Sequence, residues 1–211
     1  MTISIAGVMG AAAYFAAGVV AWTFLEWLLH GQVFHTRQLR NPFAKEHARH
    51  HADPLRMVGW TRKLLALAFV VVTLVALTRL SLGGYDAAAF PLGLGLTYLA
   101  YESLHRTIHL KPPRTAYGRW MRLHHVQHHY HTPRRNFGVT TTLWDRMFGT
   151  YVPYQTPLAV PERLAMPWLF DPETGRLADA YAQDYVIVRR VRDVRDSAAP
   201  ARPKVTAGPD R

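Results

Sequence analysis

The segment HRTIHLKPPRTAYGRWMRLHHVQHH, residues 105–129, contains half of the 12 histidines in the chain. Residues at i, i+3 and i+4 share one face of an α-helix, so His125, His128 and His129 are expected to converge. His105 and His109 are four residues apart and share a face in the same way. Imidazole nitrogens that bind a first-row metal lie about 2.0–2.2 Å from it, so such clustering indicates metal coordination.

The same pair-then-triplet order occurs earlier in the chain. The segment HARHH at 47–51 repeats the triplet spacing, and we expect His47, His50 and His51 to converge as well. His30 and His35 precede it, but five residues separate them by about 140° on an ideal helix. We expect the helix to loosen at Gly31, so that both rings turn inward.

The residue inventory restricts the chemistry to these histidines and nearby carboxylates. The chain has no cysteine, which excludes a disulfide framework, a thiolate zinc site, an iron–sulfur cluster and a cysteine nucleophile. His124 and His131 fall outside the triplet spacing and are not expected to bind metal. The other ten are too many for one ion with four to six ligands, so two ions are implied, and iron, zinc, copper and nickel all accept imidazole. The predicted metal ligands are His30, His35, His47, His50, His51, His105, His109, His125, His128 and His129.

Three apolar blocks, at residues 3–25, 64–82 and 87–104, predict membrane helices. The first charged side chain is Glu26, and an uncharged stretch of this length can cross a hydrocarbon core of about 30 Å. A cleavable signal peptide is the alternative for the first block, but no Lys or Arg precedes it. The segment GGYD at 83–86 predicts a tight turn between the second and third blocks.

The basic residues predict the orientation. Seven Lys and Arg lie in residues 31–63, and more follow residue 104, which places both segments in the cytoplasm by the positive-inside rule. The net charge of +11 therefore needs no nucleic-acid partner.

We predict an all-α integral membrane protein with a cytosolic, histidine-rich metal-binding cap. Its segments are a transmembrane helix ending in the first histidine box at 1–30, a cytosolic loop with the second box at 31–63, a transmembrane hairpin at 64–104, a catalytic cap with the third and fourth boxes at 105–196, and a disordered tail at 197–211. Further helices are expected at 46–52, 117–131 and 176–192. Residues 168–170 are expected to rest on the bilayer.

Four boxes in this order carry a family resemblance. They are EWLLHGQVFH at 26–35, HARHH at 47–51, ESLHRTIH at 102–109 and HVQHH at 125–129, followed by NFGVTTTLWDRMFGTY at 136–151. The succession resembles the fatty acid hydroxylase and sterol desaturase superfamily of membrane oxygenases, and the box spacings resemble its fatty acyl 2-hydroxylase branch. The resemblance implies a dinuclear metal centre that uses O2 to attack a C–H bond of a lipid.

Several expectations follow from that resemblance. Oxygen insertion needs a redox metal, which favours two iron ions, although zinc can occupy a purified protein. The implied partners are a fatty acyl or sterol-like lipid, O2 and an electron donor such as a ferredoxin, a cytochrome or a reductase, and the implied location is a bacterial inner membrane with the metal site on the cytoplasmic side. Second ring N–H groups of the ligands are expected to be accepted by Glu26, Glu102, Asn136 and Asp145.

Three alternatives remain open at this point. A carotenoid hydroxylase has similar boxes and is the nearest rival. A membrane b-haem electron carrier also places histidines in helices, but one haem uses two axial ligands. A metal transporter is expected to place ligands near the bilayer middle, where the first two apolar blocks contain none.

Overall fold

The computed structural model describes residues 4–35, 41–82 and 88–189, and this part of the chain is mostly helical. The turn expected at 83–86 and the tail at 197–211 lie outside the described residues. The helices are α1 (Ile5–Leu28, continued by a π-helical turn at Leu29–Phe34), α2 (Pro42–Ala52), α3 (Trp60–Leu82), α4 (Ala89–Leu110), α5 (Ala116–Tyr130) and α6 (Leu143–Met147). Two strands, β1 (Leu158–Pro161) and β2 (Tyr185–Val188), pair in parallel with Leu158 opposite Tyr185.

Helices α1 and α4 form the central pair, and their backbones touch at two glycines. A Cβ atom on Gly18 would lie 2.2 Å from the carbonyl oxygen of Phe90, and one on Gly93 would lie 2.2 Å from that of Phe15. Small residues at a helix crossing allow this approach, which gains dispersion contacts along both helices. The contact fixes the C-terminal end of α1, which leads into the turn that carries His30, relative to the end of α4, which carries His105 and His109.

Two of the described helical segments, Ile5–Phe34 and Trp60–Ser81, are long and apolar enough to cross a membrane. Helix α3 differs from the core helix of a soluble protein because its apolar side chains are exposed, including Leu65, Phe69 and Leu80. Helix α1 differs from a removable leader because it contributes the buried Glu26 and Trp27 to the packed structure. The third apolar block forms α4, which does not meet the same length and composition criteria.

Side-chain caps set the beginning of the two helices that carry the triplets. Asn41 Oδ1 accepts a hydrogen bond from the Ala44 N–H at 2.7 Å, ahead of Pro42 in the first turn of α2. Thr115 Oγ1 accepts one from the Gly118 N–H at 3.0 Å at the start of α5. Both helices were predicted, and α2 begins four residues earlier than expected because of its cap.

The C-terminal part of the described chain corrects two expectations. The prediction of a helix at 176–192 is wrong. Residues 176–189, the part of this range that the structure describes, form a 3₁₀ turn (Asp179–Tyr181) and β2. Residues 168–170 do not form a surface apolar patch, because Leu169 is fully buried with Leu123, Val126 and Leu158 in a core against α5. The all-α expectation therefore holds apart from this small parallel sheet.

Gly18→Ala or Gly93→Ala should destabilise the protein by about 3 kcal/mol, because the added Cβ meets backbone that cannot move without separating α1 from α4. Gly59→Ala is the matched control, since a Cβ there meets nothing within 4 Å. Thermal unfolding in mild detergent measures the difference. Equal unfolding temperatures for all three variants would contradict the packing argument.

Candidate metal centre

The ten predicted ligand histidines form two groups of five. Within each group, one ring nitrogen from every member lies within 4.8 Å of the others. The first group is His30, His35, His47, His51 and His128, and the second group is His50, His105, His109, His125 and His129.

The π-helical turn at Leu29–Phe34 brings the first pair together. A π-helix joins residues i and i+5, and the His35 N–H donates to the His30 carbonyl oxygen at 3.2 Å. Residues five apart therefore face the same way, which an ideal α-helix forbids. Gly31 lies inside this turn, so the helix loosens there as expected, and a Cβ on Gly31 would lie 2.9 Å from the Phe137 ring.

Each triplet is divided between the two groups instead of converging on one point as expected. The i and i+4 members of α2, His47 and His51, join the first group, whereas the i+3 member, His50, joins the second. Helix α5 does the reverse, with His125 and His129 in the second group and His128 in the first. Both helices thus link the groups, and the His51 and His129 rings stack between them at 4.1 Å.

The spacing of the ring nitrogens within the groups fits a bound cation. In the first group, the Nε2 atoms of His35 and His47 are 2.8 Å apart, and those of His128 and His51 are 3.1 Å apart. In the second, the Nε2 atoms of His109 and His125 are 3.0 Å apart. Nitrogens at right angles around an ion with bonds of about 2.1 Å are separated by about 3.0 Å.

The hydrogen bonds of three rings fix which of their nitrogens carries the proton. The Nδ1 atoms of His30 and His128 face the carbonyl oxygens of Phe137 and Arg135, so Nδ1 carries the proton and donates it. The Nε2 atom of each ring then offers a lone pair to the group. His50 is oriented in the same way in the second group. Its Nδ1 lies 3.1 Å from the Arg56 carbonyl oxygen, and its buried Nε2 has no hydrogen-bond partner.

Burial keeps these rings neutral. Desolvation by burial, followed by repulsion from neighbouring histidines, lowers the pKa of His51 to about 2. Burial also lowers the pKa of His50 to about 4, and it holds the pKa values of His125, His128 and His129 well below the usual range. Neutral imidazole is the form that binds metal.

The other two histidines lie outside both groups. His124 is fully buried on the far side of α5, with Nε2 3.5 Å from Asp145 Oδ2. His131 Nε2 lies 3.0 Å from the carbonyl oxygen of Ala159 at the start of the C-terminal core.

The four residues expected to accept ring protons make other hydrogen bonds. Glu102 pairs with Lys63 and with Arg106, and the Asn136 side chain pairs with the backbone of Val152 at 2.9 and 2.7 Å. Backbone carbonyl oxygens of Phe137, Arg135 and Arg56 accept the ring protons of His30, His128 and His50 instead. Sequence reasoning missed these acceptors because a carbonyl oxygen carries no side-chain signature.

The remaining two carboxylates hold the loop that supplies those carbonyl oxygens. Glu26 accepts hydrogen bonds from the Val139 and Thr140 N–H groups and from Thr140 Oγ1. Asp145 accepts from the N–H groups of Phe137 and Gly138, both at 2.8 Å. We call residues 135–140 the carbonyl loop. Glu26 and Asp145 therefore act on the first group through this loop and not by direct contact with its rings.

Two further residues that the sequence analysis missed secure the second group. The buried guanidinium of Arg122 donates to the carbonyl oxygens of Thr107 and Lys111 at the end of α4, both within 2.7–2.8 Å of Nη2. Trp168 Nε1 donates to the His109 carbonyl oxygen at 3.1 Å. Because Arg122 lies one turn before His125, it fixes α4 and α5 relative to each other at the metal-facing histidines.

Comparison with known proteins agrees with this arrangement. The fatty acid hydroxylase family model matches residues 15–150, which include all four boxes and the carbonyl loop. Fatty acid 2-hydroxylase of Mus musculus is 31% identical over 66% of this chain and 39% of its own length. Dihydroceramide fatty acyl 2-hydroxylase FAH2 of Arabidopsis thaliana is 30% identical over 64% of this chain and 59% of its own length. The chain thus spans between about two fifths and three fifths of these relatives.

A solved structure gives the same result at the level of the fold. The visible hydroxylase domain of scs7p aligns with a TM-score of 0.53 and 26% identity, covering 70% of this chain and 58% of that one. The matched family model, the relatives and the paired histidine groups lead to one assignment: this chain belongs to the fatty acid hydroxylase family.

Proposed function

We propose that the protein is a membrane-bound di-metal oxygenase that hydroxylates a fatty acyl chain of a lipid with O2. The observation that carries this proposal is the division of ten neutral histidines into two adjoining groups of five, each with the nitrogen spacing of a metal site. Family membership supplies the substrate class.

Two ions are proposed, one for each group. Zinc is redox-silent, so iron is the metal that supports the reaction, by activating O2 to break an unactivated C–H bond. The protein's own contribution is to hold the rings through α2, α4, α5 and the π-helical turn, to fix ring protons on carbonyl oxygens, and to exclude water from the buried second group.

Hydroxylation at carbon 2 is supported over desaturation and over carotenoid oxidation by the names of the relatives, which are fatty acid and dihydroceramide fatty acyl 2-hydroxylases. Inserting one oxygen atom of O2 into a C–H bond and reducing the other to water consumes two electrons. We propose that an electron donor such as a ferredoxin, a cytochrome or a reductase supplies them.

A membrane location is supported by the apolar surfaces of α1 and α3. We propose that both helices span a bacterial inner membrane. The proposed membrane segments are then 1–30 and 64–104, and the proposed cytosolic segments are 31–63 and 105–196. The basic residues of those segments favour the cytoplasmic side for the metal centre. The histidines at the ends of α1 and α4 then lie where acyl chains are within reach.

The activity is tested by expressing the chain in a host without hydroxylated acyl lipids and analysing lipids by mass spectrometry. We expect 2-hydroxylated acyl chains from the wild type and none from His125→Ala, which removes a ligand from the second group. His131→Ala, outside both groups, should keep most of the activity, and His124→Ala should cost a modest part of it. No hydroxylated lipid from a well-expressed wild type with an electron donor supplied would contradict the proposal.

Metal content tests the two-ion assignment separately. Metal analysis in mild detergent should give about two equivalents for the wild type and for His131→Ala. His128→Ala and His50→Ala each remove a ligand from a different group and should each lose at least one equivalent. A metal-replete wild type that holds no more than one equivalent would overturn the assignment.

The carbonyl loop predicts a selective effect at the first group. Asp145→Asn replaces one of two acceptor oxygens with an amide donor that faces an N–H group. The hydrogen bond to Phe137 or Gly138 is then lost, and the carbonyl oxygens that orient His30 and His128 are no longer held in place. We expect about one equivalent of metal to be lost while the second remains. Asp184→Asn is the matched control, because Asp184 is equally buried but pairs with Arg119 away from both groups. Full metal content in Asp145→Asn would contradict the loop's role.

A further inference from the structure

A short segment of the cap exposes large apolar side chains next to one another. Leu143, Met147 and Phe148 are 51%, 62% and 50% exposed, on α6 and the residue that follows it. Their neighbours Trp144 and Asp145 point the other way, into the protein. Soluble surfaces rarely leave such side chains together without a partner.

Contacts with α1 place this segment at a defined depth. Trp144 Nε1 donates to Thr23 Oγ1 at 3.0 Å, and the Phe148 ring stacks on Trp27 at 4.4 Å. Thr23 follows Ile5 by about 27 Å at 1.5 Å per helical residue. A hydrocarbon core is about 30 Å thick, so these contacts lie where α1 leaves it.

Charge around the segment suits the same boundary. Arg134, Arg135 and Arg146 are exposed beside it. The Arg146 guanidinium lies over the Tyr151 ring at 4.0 Å, and Arg135 donates to the Gly149 carbonyl oxygen at 2.6 Å. Aromatic rings and arginines together are typical of a membrane interface, where the arginines reach anionic headgroups.

We propose that residues 143–148 form a further membrane contact, in addition to the helices α1 and α3. This segment is inserted into the leaflet in which α1 ends. Lipid acyl chains cover Leu143, Met147 and Phe148, and anionic headgroups bind the surrounding arginines. The inference rests on the proposal that α1 spans the membrane, and it adds that the cap itself enters the bilayer.

The contact has a consequence for the metal centre. Asp145, between the inserted side chains, holds the carbonyl loop that orients His30 and His128. The first group is therefore attached to the bilayer through a few short contacts.

Because the chain contains no cysteine, single cysteines can be labelled without altering the background. Met147→Cys and Leu143→Cys are labelled with an environment-sensitive fluorophore in full-length protein reconstituted into vesicles of phosphatidylcholine and phosphatidylglycerol. Val20→Cys, on the exposed face of α1, and Glu173→Cys, on the C-terminal surface, are the membrane and aqueous references. Quenching by spin-labelled lipid and by iodide measures the depth of each label.

We expect the labels at 143 and 147 to match the one at 20, with strong quenching by lipid and protection from iodide. Iodide quenching at 143 and 147 equal to that at 173, with position 20 protected, would overturn the inference and leave the span of α1 intact. Protection from both quenchers would also overturn it, because protein and not lipid would then cover the segment. Iodide access at position 20 would refute the membrane span itself.

Discussion

Ring nitrogens that face one another at 2.8–3.1 Å are the constraint on which the rest of the structure depends. In His30, His50 and His128 the nitrogen that faces the group carries a lone pair. A buried polar atom without a partner costs about 1–3 kcal/mol, and among the described residues the second group contains four, on His50, His109, His125 and His129. The surrounding protein must therefore be rigid enough to keep the rings in place.

That rigidity comes from three devices acting on different elements. The backbone contact at Gly18 and Gly93 fixes α1 against α4, and Arg122 fixes the end of α4 against α5 by binding carbonyl oxygens of Thr107 and Lys111. The carbonyl loop, held by Glu26 and Asp145, fixes His30 and His128. Because α2 and α5 each carry rings of both groups, displacement of one helix disturbs both groups together.

Much of the metal centre could be predicted from the sequence. The features that could not be predicted depend on how separate elements pack, or on backbone atoms. Helical periodicity identified eight of the ten grouped histidines and set His124 and His131 apart, since ring direction follows from 3.6 residues per turn. His30 and His35, five residues apart, were included because the pair-then-triplet order repeats. Periodicity could not show that each triplet would be divided, because that depends on how α2 and α5 face each other. The sequence analysis expected carboxylates to accept the ring protons, because a carboxylate can be recognised from the residue type. Every residue has a carbonyl oxygen, so the sequence does not single out those of Arg56, Arg135 and Phe137. Strand β2 was not predicted because its partner β1 lies more than 20 residues earlier in the chain.

The electrostatics of the centre follow from where the carboxylates lie. Carbonyl acceptors leave the imidazoles neutral, whereas a carboxylate acceptor would add negative charge to each ligand. Glu102 lies one turn before Arg106 and three residues before His105, close enough to supply such charge, yet it is fully buried between Lys63 and Arg106. A buried charge is stable when it is paired in this way, and the two cations together leave a net positive charge beside the neighbouring rings. The histidine groups thus offer a cation only neutral donors, which leaves its full positive charge available to polarise what binds beside it.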